Sequence, residues 1–162
     1  MRILALDGSM HKSGIAVFDG HKLSDTELVQ VPNKVITEEA VVQMIGKLIE
    51  RVSHYRPDIV VAEIQKPQHR GERMSTQALI HLAAVPLGVL GYASSIQKET
   101  YWFQPMRWKG NVPKAIIQKR IMENELKLKT KLYLYADGQS DIIDAIGIGR
   151  FWLERNKHRK EL

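Results

Sequence analysis

Short apolar runs broken by turn residues open the chain. Residues 2–6 (Arg-Ile-Leu-Ala-Leu) predict a buried strand that ends on the turn Asp7-Gly8-Ser9. Gly14-Ile15-Ala16-Val17-Phe18 predicts a second strand, and the Asp19-Gly20 pair behind it is a strong hairpin signal. Leu23 to Val31 predicts a third, so the chain begins as an antiparallel meander. The period then lengthens. Val41, Val42, Met44, Ile45, Leu48, Ile49 and Val52 recur at helical spacing, with Thr37 as the expected N-cap and Glu38 and Glu39 in a favourable first turn. Pro57-Asp58 ends that helix. Ile59-Val60-Val61-Ala62-Glu63 is a β-branched run that predicts a buried strand finishing on a carboxylate. A polar, basic stretch from Gln65 to Arg73 predicts a loop. A helix from Met74 to about Ser95 follows, with a kink expected at Pro86. Thr100-Tyr101-Trp102-Phe103 predicts a strand, Lys109 to Pro113 a loop, Lys114 to about Lys127 a helix and Asp137-Gly138 a turn. The last helix is expected from Asp141 to about Asn156, with Ser140 able to cap it.

The order βββ-α-β-α-β-α-α predicts an α/β fold: a mixed sheet, three antiparallel strands and then parallel ones, with helices on both faces. A chain of 162 residues suits one domain spanning 1–162, with a basic tail over about 155–162. The apolar stretch from Ala78 to Ile96 approaches membrane-spanning length, but Pro86, Gly88 and Gly91 interrupt it, so a buried helix is expected and no membrane. An acid at position 7 comes too early for a secretory signal. Without cysteine there is no disulfide, thiol nucleophile or thiolate-bound metal, which fits a cytoplasmic protein.

The chain is strongly basic. Lys plus Arg number 24 against 18 for Asp plus Glu, a net charge of +6, so the chain is drawn to polyanions. Against that background four acidic residues at three sites stand out. Asp7 and Glu63 end strands, while Asp141 and Asp144 lie one turn apart on the final helix, on a face shared with Ala145, Ile148, Phe151 and Trp152. Singly, each is explained as well by a turn, an ion pair or a helix N-terminus. Jointly, acids at two strand ends and one helix face can converge at one sheet edge. Carboxylates on an apolar face need a partner, and a divalent cation with its preference for oxygen is the natural one. Two such ions about 3.5–4 Å apart form the usual clamp for in-line attack on a phosphodiester.

Three segments together carry a resemblance. Ile3-Leu4-Ala5-Leu6-Asp7-Gly8-Ser9 with Ser13-Gly14-Ile15-Ala16-Val17 resembles the first motif of the RuvC-type Holliday-junction resolvases, within the ribonuclease-H-like nucleases. Pro57-Asp58-Ile59-Val60-Val61-Ala62-Glu63 looks like their second, and Asp141-Ile142-Ile143-Asp144-Ala145-Ile146-Gly147-Ile148-Gly149 looks like their Asp-x-x-Asp-Ala-x-x-Ile helix. Order, spacing and length match over nearly the whole chain. The resemblance implies an RNase H-like fold and a metal-dependent endodeoxyribonuclease that resolves four-way and other branched DNA junctions by paired symmetric nicks, leaving 5′-phosphates. It implies Asp7, Glu63, Asp141 and Asp144 as ligands of two Mg²⁺ ions, with Mn²⁺ able to substitute. Trp108-Lys109-Gly110-Asn111-Val112-Pro113-Lys114 resembles the family's lysine pair, which puts Lys109 and Lys114 near the scissile phosphate. Lys66, His69, Arg70 and Arg73, on the loop after Glu63, are the further candidate DNA contacts. Paired nicks imply a two-fold homodimer, and the apolar helix from Leu79 to Leu90 is the candidate interface, with plain core as the equal alternative. The expected location is the cytoplasm, on the nucleoid of a bacterium or in the host cell of a phage.

The chain departs from the family in two places. Asp7-Gly8-Ser9 stands where Asp-Pro-Gly is common, and Lys66 stands where bacterial members usually carry an aromatic wedge. Trp102, Phe103 and Trp108 are expected in packing rather than as base-stacking platforms. Two other readings remain open: a nuclease acting on RNA–DNA hybrids or RNA precursors, and a non-catalytic junction-binding relative.

Overall fold

The opening meander forms as the apolar runs predict. β1 (Arg2–Asp7) pairs antiparallel with β2 (Lys12–Asp19), and β2 pairs antiparallel with β3 (Lys22–Gln30). The chain then crosses through α1 (Thr37–Tyr55) to β4 (Ile59–Glu63), which pairs parallel with β1. A second crossover through α2 (Thr76–Ser95) leads to β5 (Glu99–Phe103), parallel to β4. The sheet order is therefore β3-β2-β1-β4-β5. Three more helices follow: α3 (Pro105–Trp108), α4 (Lys114–Lys127) and α5 (Ser140–Arg155). The computed structural model describes residues 1–65, 76–127 and 140–157. The candidate DNA contacts Lys66, His69, Arg70 and Arg73, the Asp137-Gly138 turn and most of the basic tail lie outside the described residues.

The alternation along β1 and β4 decides which side chains face which layer. Leu4, Leu6, Val60 and Ala62 point to the core formed with α1 and α2, where they meet Met44, Leu48, Val85 and Val89. Ile3, Ala5 and Val61 point to the opposite core, formed with Ala145, Ile146, Ile148 and Trp152 of α5. Both faces are covered, which is why these strands read as continuous apolar runs. The same period of two carries Asp7 and Glu63, the last residues of β1 and β4, onto the α5 side.

Several expectations need correction. α1 starts one residue earlier than predicted: Ile36 occupies the N-cap with an extended backbone and no side-chain cap, and Thr37 is already helical. Val42 fits the helical spacing but points outward, because the period of 3.6 places it beyond the buried face of Ala40, Val41, Met44, Leu48 and Val52. α3 was not predicted; Pro105 at its start supplies a preset φ for a single short turn. Trp102, expected in packing, is 51% exposed, because β5 is an edge strand and only its Tyr101 and Phe103 side faces α5. Among the described residues, no helix is long and apolar enough to cross a membrane.

α5 sits unusually close to the sheet, and glycine permits it. A Cβ on Gly14 would overlap the backbone carbonyl of Asp141, and one on Gly149 would overlap the Phe18 ring. A second anchor is ionic. Arg150 of α5 holds the fully buried Glu125 of α4 through both carboxylate oxygens and donates to the His21 carbonyl at 2.6 Å. This pair ties α4, α5 and the β2–β3 hairpin together.

Candidate active site

The four predicted acids arrive from three elements. Asp7 and Glu63 come from the C-terminal ends of β1 and β4, two neighbouring strands of the parallel part of the sheet. Asp141 and Asp144 come from the first turns of α5. Gly14 stands directly across from Asp7 in the β1–β2 ladder, and the Asp141 backbone packs on that glycine. So the glycine that pairs with Asp7 is also the one that lets α5 bring its acids to it. Glu63 is 4% exposed and Asp144 1%, while Asp7 and Asp141 are partly exposed. Asp141 accepts a hydrogen bond from the Ser140 hydroxyl at 3.3 Å.

The electrostatics confirm that these groups feel one another. Burial, then the charges of Glu63 and Asp144, push the Asp7 carboxyl up to about 8; Lys109 opposes the rise and Asp141 adds to it. Metal-free Asp7 is therefore largely protonated at neutral pH.

Both lysines of the predicted pair reach the acids. The Lys109 ammonium lies 3.2 Å from Glu63 Oε2 and 3.1 Å from Asp144 Oδ2. Burial opposes its charge, but Glu63 and Asp144 outweigh that cost and hold the ammonium above its ordinary value. Lys114 Nζ, on the more exposed first turn of α4, lies 3.1 Å from the same Asp144 oxygen and donates to Ser140 Oγ at 3.3 Å.

Two residues join the site that the sequence did not single out. The Trp108 indole donates its N–H to Glu63 Oε2 at 2.7 Å. The Gln118 amide donates to Asp144 Oδ1 at 3.2 Å and to the Ser140 carbonyl at 3.3 Å. Gln118 had a signal available, since it lies four residues after Lys114 and shares its helix face. Trp108 had only its position beside Lys109.

All four predicted ligands are carboxylates, the set a hard divalent cation prefers. As they stand, no three acidic or histidine side chains among the described residues are grouped closely enough to hold an ion. The charge between Glu63 and Asp144 is supplied by the Lys109 ammonium, which stands in for a cation. In kind the residues fit a divalent ion; as arranged, the Lys109 ammonium occupies the gap between Glu63 and Asp144.

No family model and no curated protein matches the sequence. Solved structures do. Thermus thermophilus RuvC in complex with a Holliday junction substrate superposes with a TM-score of 0.74, at 16% identity over 99% of this chain and 97% of that one. A second Thermus thermophilus RuvC structure gives 0.68 at 17% identity, covering 98% and 97%. The yeast mitochondrial Holliday junction resolvase Ydc2 gives 0.65 at 11% identity, covering 96% and 80%. The chain has the ribonuclease-H-like fold of these RuvC-type resolvases.

Proposed function

We propose that the protein is a metal-dependent endonuclease that resolves four-way DNA junctions. The observation that carries this reading is the convergence of Asp7, Glu63, Asp141 and Asp144 beside two lysines, in a fold shared with resolvases. Asp7, Glu63, Asp141 and Asp144 would hold Mg²⁺ or Mn²⁺, two ions per site. When bound, the ions supply an activated water and neutralise charge on the leaving oxygen. The chain's own residues do the rest. Asp7 would have to give up its proton to ligate an ion, against the burial and the charges of Glu63 and Asp144 that hold it. Lys109, released from Glu63 and Asp144, turns its ammonium toward the scissile phosphate. Lys114 joins it there, and together they stabilise the charge that develops during attack. Gln118 keeps Asp144 oriented while the lysines move. The net charge of +6 draws the polyanionic backbone to the site and makes binding salt-sensitive.

Symmetric resolution needs two sites related by a two-fold axis, and a homodimer provides them. The outer face of α2 supports this. Ile80 is 59% exposed and Leu87 53%, seven residues apart on one stripe, and Gly91 leaves the same stripe open. The competing reading, cleavage of RNA–DNA hybrids, uses the same acids and differs only in substrate.

The test is cleavage of end-labelled four-way junctions in Mg²⁺. Paired nicks at symmetric positions are expected, and Asp144→Asn is expected to abolish them while junction binding persists. In the same assay Leu87→Asp is expected to convert paired nicks to single ones and to give a monomer in sedimentation. Cutting of hybrids but not junctions would replace the resolvase reading. Tight junction binding without nicking in Mg²⁺ or Mn²⁺ would remove catalysis altogether.

A further inference from the structure

We propose that Trp108 is a positioning residue for Glu63, its indole N–H holding that carboxylate in the orientation a divalent cation requires. The inference rests on the metal-dependent reading above and extends it to a residue that reading leaves unused. Glu63 sits at the end of a strand buried on both faces, with 4% of its surface exposed. A buried carboxylate without fixed donors is free to rotate about its last torsion, which is broad. Here two donors meet on one oxygen: Trp108 Nε1 at 2.7 Å and Lys109 Nζ at 3.2 Å. Two donors on Oε2 fix the plane of the carboxylate.

The two donors are not equivalent. Lys109 is a flexible cation, shared with Asp144 and seated 4.5 Å over the Trp108 ring. A divalent ion at Glu63 would repel it. The indole is neutral and remains. It is also locked in place, because its ring lies on Gly147 of α5, where a Cβ would come within 2.5 Å of Trp108 Cζ3. The short turn of α3 delivers the ring, and Gly147 makes the space for it. A rigid, neutral donor behind a ligating carboxylate is the arrangement that orients metal ligands from outside the coordination sphere. When Lys109 withdraws, Trp108 keeps Glu63 from following it.

The test separates the N–H from the ring. Trp108→Phe keeps an aromatic ring in the α3 turn and removes the donor, along with the outer indole carbons that pack on Gly147. Mn²⁺ binding to the full-length protein, measured by calorimetry without DNA, is expected to weaken about 10–100-fold, the usual effect of losing such a partner. Junction binding in EDTA is expected to match wild type, and the melting temperature in EDTA to fall only slightly, since Lys109 still pairs with Glu63. Nicking is expected to fall at limiting Mn²⁺ and to recover at high Mn²⁺. A purely structural role would instead lower the melting temperature and nicking together, with Mn²⁺ affinity unchanged and no rescue by metal. Mn²⁺ affinity within twofold of wild type would overturn the proposal and leave the metal reading intact. Wild-type protein that takes up no Mn²⁺ would overturn both.

Discussion

Asp7→Asn is expected to reduce junction nicking by about 10³-fold and, in EDTA, to make the protein more stable. The first effect follows from the proposed role. Asp7 lies within electrostatic reach of Glu63 and Asp144, and removing its charge removes several kcal/mol of transition-state stabilisation, each ~1.4 kcal/mol being a factor of ten. The second effect follows from the same geometry without metal. Burial and the neighbouring acids raise the Asp7 carboxyl to about 8, against 3.8 for an ordinary aspartate. Between these two values the unfolded chain has released its proton while the folded chain keeps it. Folding then takes up a proton, so wild-type stability falls as pH rises from about 4 to about 8 and levels off above. Asparagine has no proton to take up. Its advantage is absent below pH 4, grows through the window and is full above pH 8. A gain of about 2 kcal/mol there corresponds to roughly 5 °C in melting temperature for a chain of this size. Melting curves in EDTA at pH 4, 6 and 9 measure it. Equal stability of the two proteins at pH 9 would mean that Asp7 carries no such strain. Added Mn²⁺ is expected to invert the order, stabilising wild type and leaving the variant unchanged.

How far the sequence reveals this site depends on which level each residue belongs to. Asp7 and Glu63 are legible because each ends an apolar run, and a strand end is a local property. Asp141 and Asp144 are legible because a spacing of three on a helix is local too. Their convergence is not local. It depends on the period of two that turns Asp7 and Glu63 toward α5, and on a glycine in β2 that no pattern of apolar residues marks as special. Lys109 reaches both buried acids through a tertiary contact, and Trp108 reaches Glu63 across 45 positions of sequence. A tryptophan next to a lysine gives no sign of which carboxylate it will meet. The edge position of β5 is equally invisible in Thr-Tyr-Trp-Phe, where an apolar run predicts burial on both sides and Trp102 escapes it. The cap of α1 failed for a smaller reason: Thr37 has the chemistry of an N-cap, but the backbone turns helical one residue sooner.

Gly14→Ala is expected to damage both stability and catalysis, although it adds one methyl group and alters no charge. The added carbon would overlap the Asp141 carbonyl oxygen and approach Ile142 N at 2.5 Å. Those are backbone atoms of a helix, and they cannot turn aside as a side chain can. Either β2 or α5 must shift, and both are packed: α5 presses Ala145, Ile146 and Ile148 onto Ile3, Ala5 and Ala16. Overpacking of this kind costs about 3 kcal/mol, at the upper end of its usual range because nothing flexible absorbs it. The shift also moves Asp141 and Asp144 relative to Asp7 and Glu63, which stay with the sheet. A displacement of about 1 Å in such a constellation costs on the order of 10²-fold in rate. Gly8→Ala is the matched control. It also lies next to the site, but its added carbon meets only side chains of Val85, Pro86 and Leu6 at 3.4–3.6 Å, ordinary contact distance. Urea denaturation is expected to show a lower midpoint for Gly14→Ala and a midpoint near wild type for Gly8→Ala. Nicking assayed below both transitions is expected to follow the same order, since the folded fraction of Gly14→Ala still carries a displaced α5. Full activity in a destabilised Gly14→Ala would mean that the helix recoils as a whole and that the acids, not the glycine, set the geometry of the site.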